Sequence, residues 1–173
     1  RFIVAFMHDR ELIIYSILSY VILLATVLAN GIAQGAQPLV SYYHGRHERD
    51  AFHAIFGYEI KSGILLAAVE AVLIVAFGKY IALLFIGDGD GLATDIVYAL
   101  RLIATAFPLL SMNVIIAGYL TALERSRVAI VISLIRCTLT LIVALAIIVA
   151  LFGTETVWSS LAISEMMCLV IAV

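Results

Sequence analysis

The chain's 173 residues are 65% hydrophobic and only 13% charged, with a mean hydropathy of +1.18 and a formal net charge of −2. Soluble domains carry about 25% charged residues, so the composition excludes an ordinary soluble globular protein. Apolar stretches near the roughly 20 residues needed to cross a bilayer core predict instead an all-α fold, a polytopic membrane helix bundle in contact with membrane lipid.

Hydropathy and charge divide the chain into five helical segments, expected at residues 11–43, 51–86, 94–123, 128–152 and 156–173. Residues 1–7 read as the tail of a preceding helix, which makes five transmembrane helices of a six-helix lobe plus that tail. The chain starts at Arg1 rather than Met, opens on no signal-peptide pattern and stops within the apolar Ile171-Ala172-Val173. It is therefore expected to be a piece of a longer membrane protein.

The first segment brings Gln34, Gln37 and Pro38 into a spanning helix, where an unpaired polar group costs several kcal/mol. Gly31 and Gly35 form a Gly-x-x-x-Gly pattern, expected to admit a second helix at close range, and Pro38 is expected to loosen the helix end. The second segment, about 54 Å long at 1.5 Å per residue, exceeds the hydrocarbon thickness. Its first turns, with Tyr58, Glu59 and Lys61, are expected in the interface. Pro108 should kink the third segment and free a carbonyl one turn earlier.

Charge sets the orientation. Residues 44–50 hold Arg46, Arg49 and two histidines, and residues 124–127 hold Arg125 and Arg127. The intervening connections, residues 87–95 and 153–156, carry Asp88, Asp90, Asp95 and Glu155 but no Lys or Arg. By the positive-inside rule the two basic loops are expected on the cytoplasmic side of the cell membrane.

Several polar residues inside the spans are functional candidates. Gln34 and Gln37, three residues apart, share a helix face and either line a substrate path or bond neighbouring helices. Asn113, beyond the Pro108 kink, either meets a ligand or caps the freed carbonyl. Glu70, Arg136 and Glu165 are embedded charges, each costly unless paired or facing a cavity. Arg136 reads as an ion-pair member, Glu70 as a proton or cation relay or a pairing group, and Glu165 as pore-facing or paired. Asp95 and Arg101 are expected to snorkel. Cys137 and Cys168 read as small core residues, with no disulfide or metal framework. Walker loop, dinucleotide fingerprint and catalytic triad are all missing. Neither enzymatic activity, an organic cofactor nor a nucleic-acid partner is expected.

Gly31-Ile32-Ala33-Gln34-Gly35-Ala36-Gln37-Pro38-Leu39-Val40-Ser41-Tyr42, followed by Gly45, resembles a signature of the multidrug and toxic compound extrusion (MATE) transporters. The similarity is to the second helix of the C-terminal lobe, in the branch with bacterial multidrug and DNA-damage-inducible exporters. Ala122 to Arg136 resembles the family's basic loop and its Ser-Leu-x-Arg helix, and Val157-Trp158 to Ser164-Glu165 the start of its last helix. Cys137 and Val143 stand where the family often has Gln and Pro. Between Pro108 and Ala122, where some branches carry an acidic residue for cation coupling, this chain has none.

The resemblance implies most of the C-terminal lobe of a twelve-helix antiporter. Such a protein exports cationic or amphipathic drugs against Na⁺ or H⁺ influx by rocking two lobes, the N-terminal lobe being the partner of this one. A lipid-linked precursor flippase of the same superfamily and a non-transporting membrane scaffold are the alternatives. An isolated lobe, with its polar face turned to lipid, is expected to be unstable.

Overall fold

The computed structural model describes residues 9–86, 91–152 and 154–172. The expected helix tail at residues 1–7, the acidic residues Asp88 and Asp90, and the Cys137 and Glu155 side chains lie outside the described residues.

The fold is all-α: α1 Asp9–Gly45, α2 Arg49–Ile86, α3 Leu92–Ala104, α4 Phe107–Ala122, α5 Ser126–Leu134, α6 Leu141–Phe152 and α7 Ser160–Ala172. A π-helical turn, Ile135–Thr140, joins α5 to α6, and a 3-10 turn, Thr154–Ser159, leads into α7. Three helices are long and apolar enough to cross a membrane, and α3 with α4 makes a fourth such span bent by 45°. Apolar but shorter, Val157–Ile171 follows. Only 17% of the most apolar window of α2 is buried within the protein, so the remainder needs an apolar solvent.

The hydroxyl and amide side chains of α1 are accommodated within the helix itself. Ser16, Ser19, Thr26 and Asn30 each donate to the carbonyl four residues back, at 2.7–2.8 Å. A polar side chain so engaged no longer needs water. Pro38 sits inside α1 without ending it. Having no N–H, it gives nothing to the carbonyl of Gln34, and both residues lie on the exposed side of the helix.

The two turns at the basic end are built alike. At the first, Glu48 N–H donates to the Tyr43 carbonyl (3.0 Å) and His47 N–H to that of His44 (3.0 Å). At the second, Arg125 N–H donates to the Leu120 carbonyl (2.9 Å) and Glu124 N–H to that of Thr121 (3.1 Å). Both are Schellman endings, with His47 (φ 59°) and Glu124 (φ 62°) in the left-handed conformation that glycine usually fills. Ser41 Oγ donates to the Ala122 carbonyl at 3.1 Å, and Val40, Phe52, Tyr119 and Ala122 cluster beneath, which brings the turns to one end of the bundle.

The centre of the bundle is the bent pair. The chain turns at Thr105 and Ala106, whose N–H groups reach back only three residues, to Leu102 and Ile103. Pro108 then occupies the first turn of α4, where its missing N–H costs nothing. Among the most deeply buried side chains are Ile96, Leu100, Ile103, Phe107, Leu110 and Ile115, all on α3 and α4. α4 contacts α1, α2, α5 and α7.

Small residues allow these approaches, though not at the positions expected. Nothing lies within 4 Å of a Cβ built on Gly31 or Gly35, because both are on the exposed side of α1. The close crossing is two residues away, on the opposite side of α1, where Ala33 meets Gly118 of α4. On α2, Phe52, Glu59, Gly63, Ala67, Ile74, Gly78 and Ala82 form a buried seam whose spacing tracks the helical repeat. Gly63 packs on Ile115 and Ser111 of α4, Gly78 on Val97 and Leu100 of α3.

Gly118→Ala places its new Cβ 2.8 Å from the Ala33 Cβ. It should destabilise the fold by about 1–3 kcal/mol, seen as a lower thermal midpoint in detergent. Gly31→Ala should keep or raise that midpoint, alanine being the better helix former by about 1 kcal/mol. Equal losses in the two variants would contradict this packing.

Candidate functional site

Two polar features stand out from the apolar bundle, one buried between helices and one open on α1. The buried one joins Asn113 of α4, Arg136 of the π-helical turn and Glu165 of α7. Arg136 Nε donates to Glu165 Oε1 at 3.1 Å. Asn113 Nδ2 donates to Glu165 Oε2 at 2.7 Å and to the Glu165 carbonyl at 2.9 Å. Both carboxylate oxygens are thus engaged, at a residue only 3% exposed.

The local backbone serves this arrangement. The π turn inserts a residue into the helix, a distortion common at functional sites, and Thr140 Oγ1 donates to the Arg136 carbonyl at 2.8 Å inside it. Thr140, Ser164 and Ser160 are buried beside the same helices. Asn113 Oδ1 is buried with no hydrogen-bond partner. Among the described residues no cluster of His, Cys, Asp or Glu has the makings of a metal site.

Asn113 therefore does not join Gln34 and Gln37 on one surface, as the sequence led us to expect. It is 1% exposed and held against α7, and its amide bonds Glu165 rather than the carbonyl released by Pro108. Gln34 is exposed and Gln37 half-buried. Neither amide bonds another described residue, so within this chain they are not interhelical ties. Gly31, Gln34, Gly35 and Pro38 form an open strip of small and polar residues along α1.

Glu70 is half-buried on α2 and bonds no described residue; Arg136 is paired with Glu165 and not with it. Asp95 lies 3.7 Å from Arg10, both exposed, and Arg101 is exposed on α3. Cys168 is fully buried.

Sequence reasoning missed two parts of this picture. The π turn leaves no mark in composition, since its residues would propagate an ordinary helix. Glu59 was read as interfacial, whereas it is buried on the α2 seam. Its spacing of seven from Phe52 and four from Gly63 was the available signal.

The geometry is that of an apolar membrane helix bundle in which Arg136 and Glu165 are paired between helices, and comparison with known proteins gives it a class. The MatE family model matches residues 1–147. The chain belongs to the MatE family, a family of transporters rather than enzymes. No curated protein matches it. Among solved structures it is similar to an inward-facing multidrug resistance MATE family transporter of the MOP superfamily, at 17% identity and a TM-score of 0.80 over 88% of this chain. It is also similar to a MATE protein crystallised with MaL6, at 15% identity and a TM-score of 0.86 over 95% of this chain. The chain spans 36% and 37% of the lengths of those two proteins.

Removing one partner of a buried ion pair typically costs about 3–5 kcal/mol, whereas replacing both by apolar residues is often nearly neutral. Arg136→Leu should therefore lower the unfolding free energy by about 3 kcal/mol or more. The double variant Arg136→Leu/Glu165→Leu should recover much of the loss, measured by denaturant unfolding in mild detergent. Additive losses would show that the two side chains act independently.

Proposed function

We propose that this chain is most of the C-terminal lobe of a twelve-helix antiporter in the cell membrane, its basic turns on the cytoplasmic side. The antiporter exports cationic or amphipathic small molecules against an inward flow of Na⁺ or H⁺, by alternating access between this lobe and an N-terminal partner lobe. The observation that carries the reading is the open strip on α1. In a chain of a transporter family, Gln34 and Gln37 present amides that bond no other described residue. Beside them Pro38 withholds a donor from the Gln34 carbonyl. These are hydrogen-bonding groups available to cargo, along a helix side that no described helix covers at Gly31 or Gly35.

The three embedded charges take different parts in this scheme. Glu165 is saturated by Arg136 and Asn113, which suits a structural role. Glu70, half-buried and without a partner among the described residues, is the carboxylate free to bind the coupling ion.

Drug efflux from a sensitised cell expressing the complete polypeptide tests the proposal. The wild type should export a cationic dye. Gln34→Ala should slow export several-fold, the loss of one hydrogen bond being worth about 1 kcal/mol. Glu70→Gln should abolish the dependence of export on the ion gradient. Unchanged efflux in both variants would remove these residues from the pathway. Absence of any cation export would remove the drug-exporter assignment, and translocation of a lipid-linked anion in its place would favour a flippase.

A further inference from the structure

Glu59 has no place in the scheme above, and its surroundings are unusual. It lies on the buried seam of α2, between Phe52 and Gly63, and is 4% exposed. Its Oε2 is wholly buried without a hydrogen-bond partner, and no Lys or Arg forms an ion pair with it. Glu165, equally buried, has a guanidinium and an amide on its two oxygens. An ionised carboxylate removed from water without such partners is several kcal/mol less stable than a compensated one. The site is built for a carboxyl group that carries something.

The geometry around it selects what is carried. A hard cation collects about six oxygen ligands. Among the described residues no group of His, Cys, Asp or Glu side chains that could hold a metal ion is found there or elsewhere. A proton needs only one carboxylate oxygen. Next to this part of the seam, the Tyr119 ring of α4 stacks on Phe56 at 4.1 Å between centroids, and its hydroxyl is 3.1 Å from Nδ1 of the exposed His53.

The other titratable groups nearby leave this arrangement intact. From α1, His44 packs edge-on against Phe52, and Tyr43 joins the apolar cluster around Phe52 and Tyr119. On α2 itself, exposed Lys61 sits over the exposed Tyr58 ring, at 5.8 Å from its centroid. The α2–α3 contact at Gly78 lies toward the far end of the helix, about 28 Å away at 1.5 Å per residue.

We propose that Glu59 is a proton-binding site of this lobe. The neutral acid is the form that the α2–α4 seam accommodates. The site is separate from Glu70 and from the α1 strip, so it does not depend on the transport assignment.

The test is pH-difference infrared spectroscopy on the complete polypeptide in lipid nanodiscs, with and without Na⁺. The wild type should show a protonated-carboxyl stretch that titrates with pH, disappears in Glu59→Gln and moves in frequency in Glu59→Asp. Should Glu59→Gln fail to elute as a monodisperse species, the frequency shift in Glu59→Asp decides the assignment. Identical spectra in wild type and both Glu59 variants would overturn the proposal. So would loss of the band on adding Na⁺ at constant pH, which would make the ligand a cation. None of these readings requires export, so the transport proposal stands or falls separately.

Discussion

α4 holds the bundle together because small residues stand where its backbone meets its neighbours. Ala33 of α1 faces Gly118, and Gly63 of α2 faces Ile115 and Ser111. Between apolar helices in lipid there is no water to expel, so close van der Waals contact supplies much of the attraction. A contact of that kind fails quickly when a methyl group intervenes. The bend at Thr105 and Ala106 places α3 on the far half of the α2 seam, where Gly78 receives Val97 and Leu100. A straight helix would have continued along a single line past α2.

The same absence of water governs the polar residues. Hydroxyls on α1 are absorbed by carbonyls one turn back, and Glu165 is absorbed by Arg136 and Asn113. Against this background of satisfied groups the unsatisfied ones carry information. Among the described residues, Gln34 and Glu70 lack partners where the helix side is open or half-open, and Glu59 Oε2 lacks one where the side is closed.

The MatE assignment and this distribution fit one another. An alternating-access exporter of the kind proposed needs rigid lobe interiors, with polar groups kept for the surfaces that face the pathway. Within the described residues, the Arg136–Glu165 pair locks α7 to the π turn, while the α1 strip carries no tertiary ties at Gly31, Gln34 or Gly35. The basic end is held by Ser41 on the Ala122 carbonyl and by the aromatic cluster around Tyr119. Rigidity and availability thus occupy different sides of the same helix.

The sequence by itself determined the all-α membrane class, the helical stretches, the basic and acid-only connections and the kink before Pro108. These follow from hydropathy, charge and backbone chemistry, which act within a few residues. It also singled out Gln34, Glu70, Arg136 and Glu165, because a polar residue in an apolar run is visible without coordinates. Only the tertiary structure decided the partners: that Arg136 meets Glu165 rather than Glu70, that Asn113 is buried, and that Ala33 rather than Gly31 makes the close crossing. It alone showed the π turn and the burial of Glu59. Those outcomes depend on the rotation of each helix about its axis, where a shift of one residue turns a side chain by about 100°. That phase is set by packing against distant segments, which no local pattern contains.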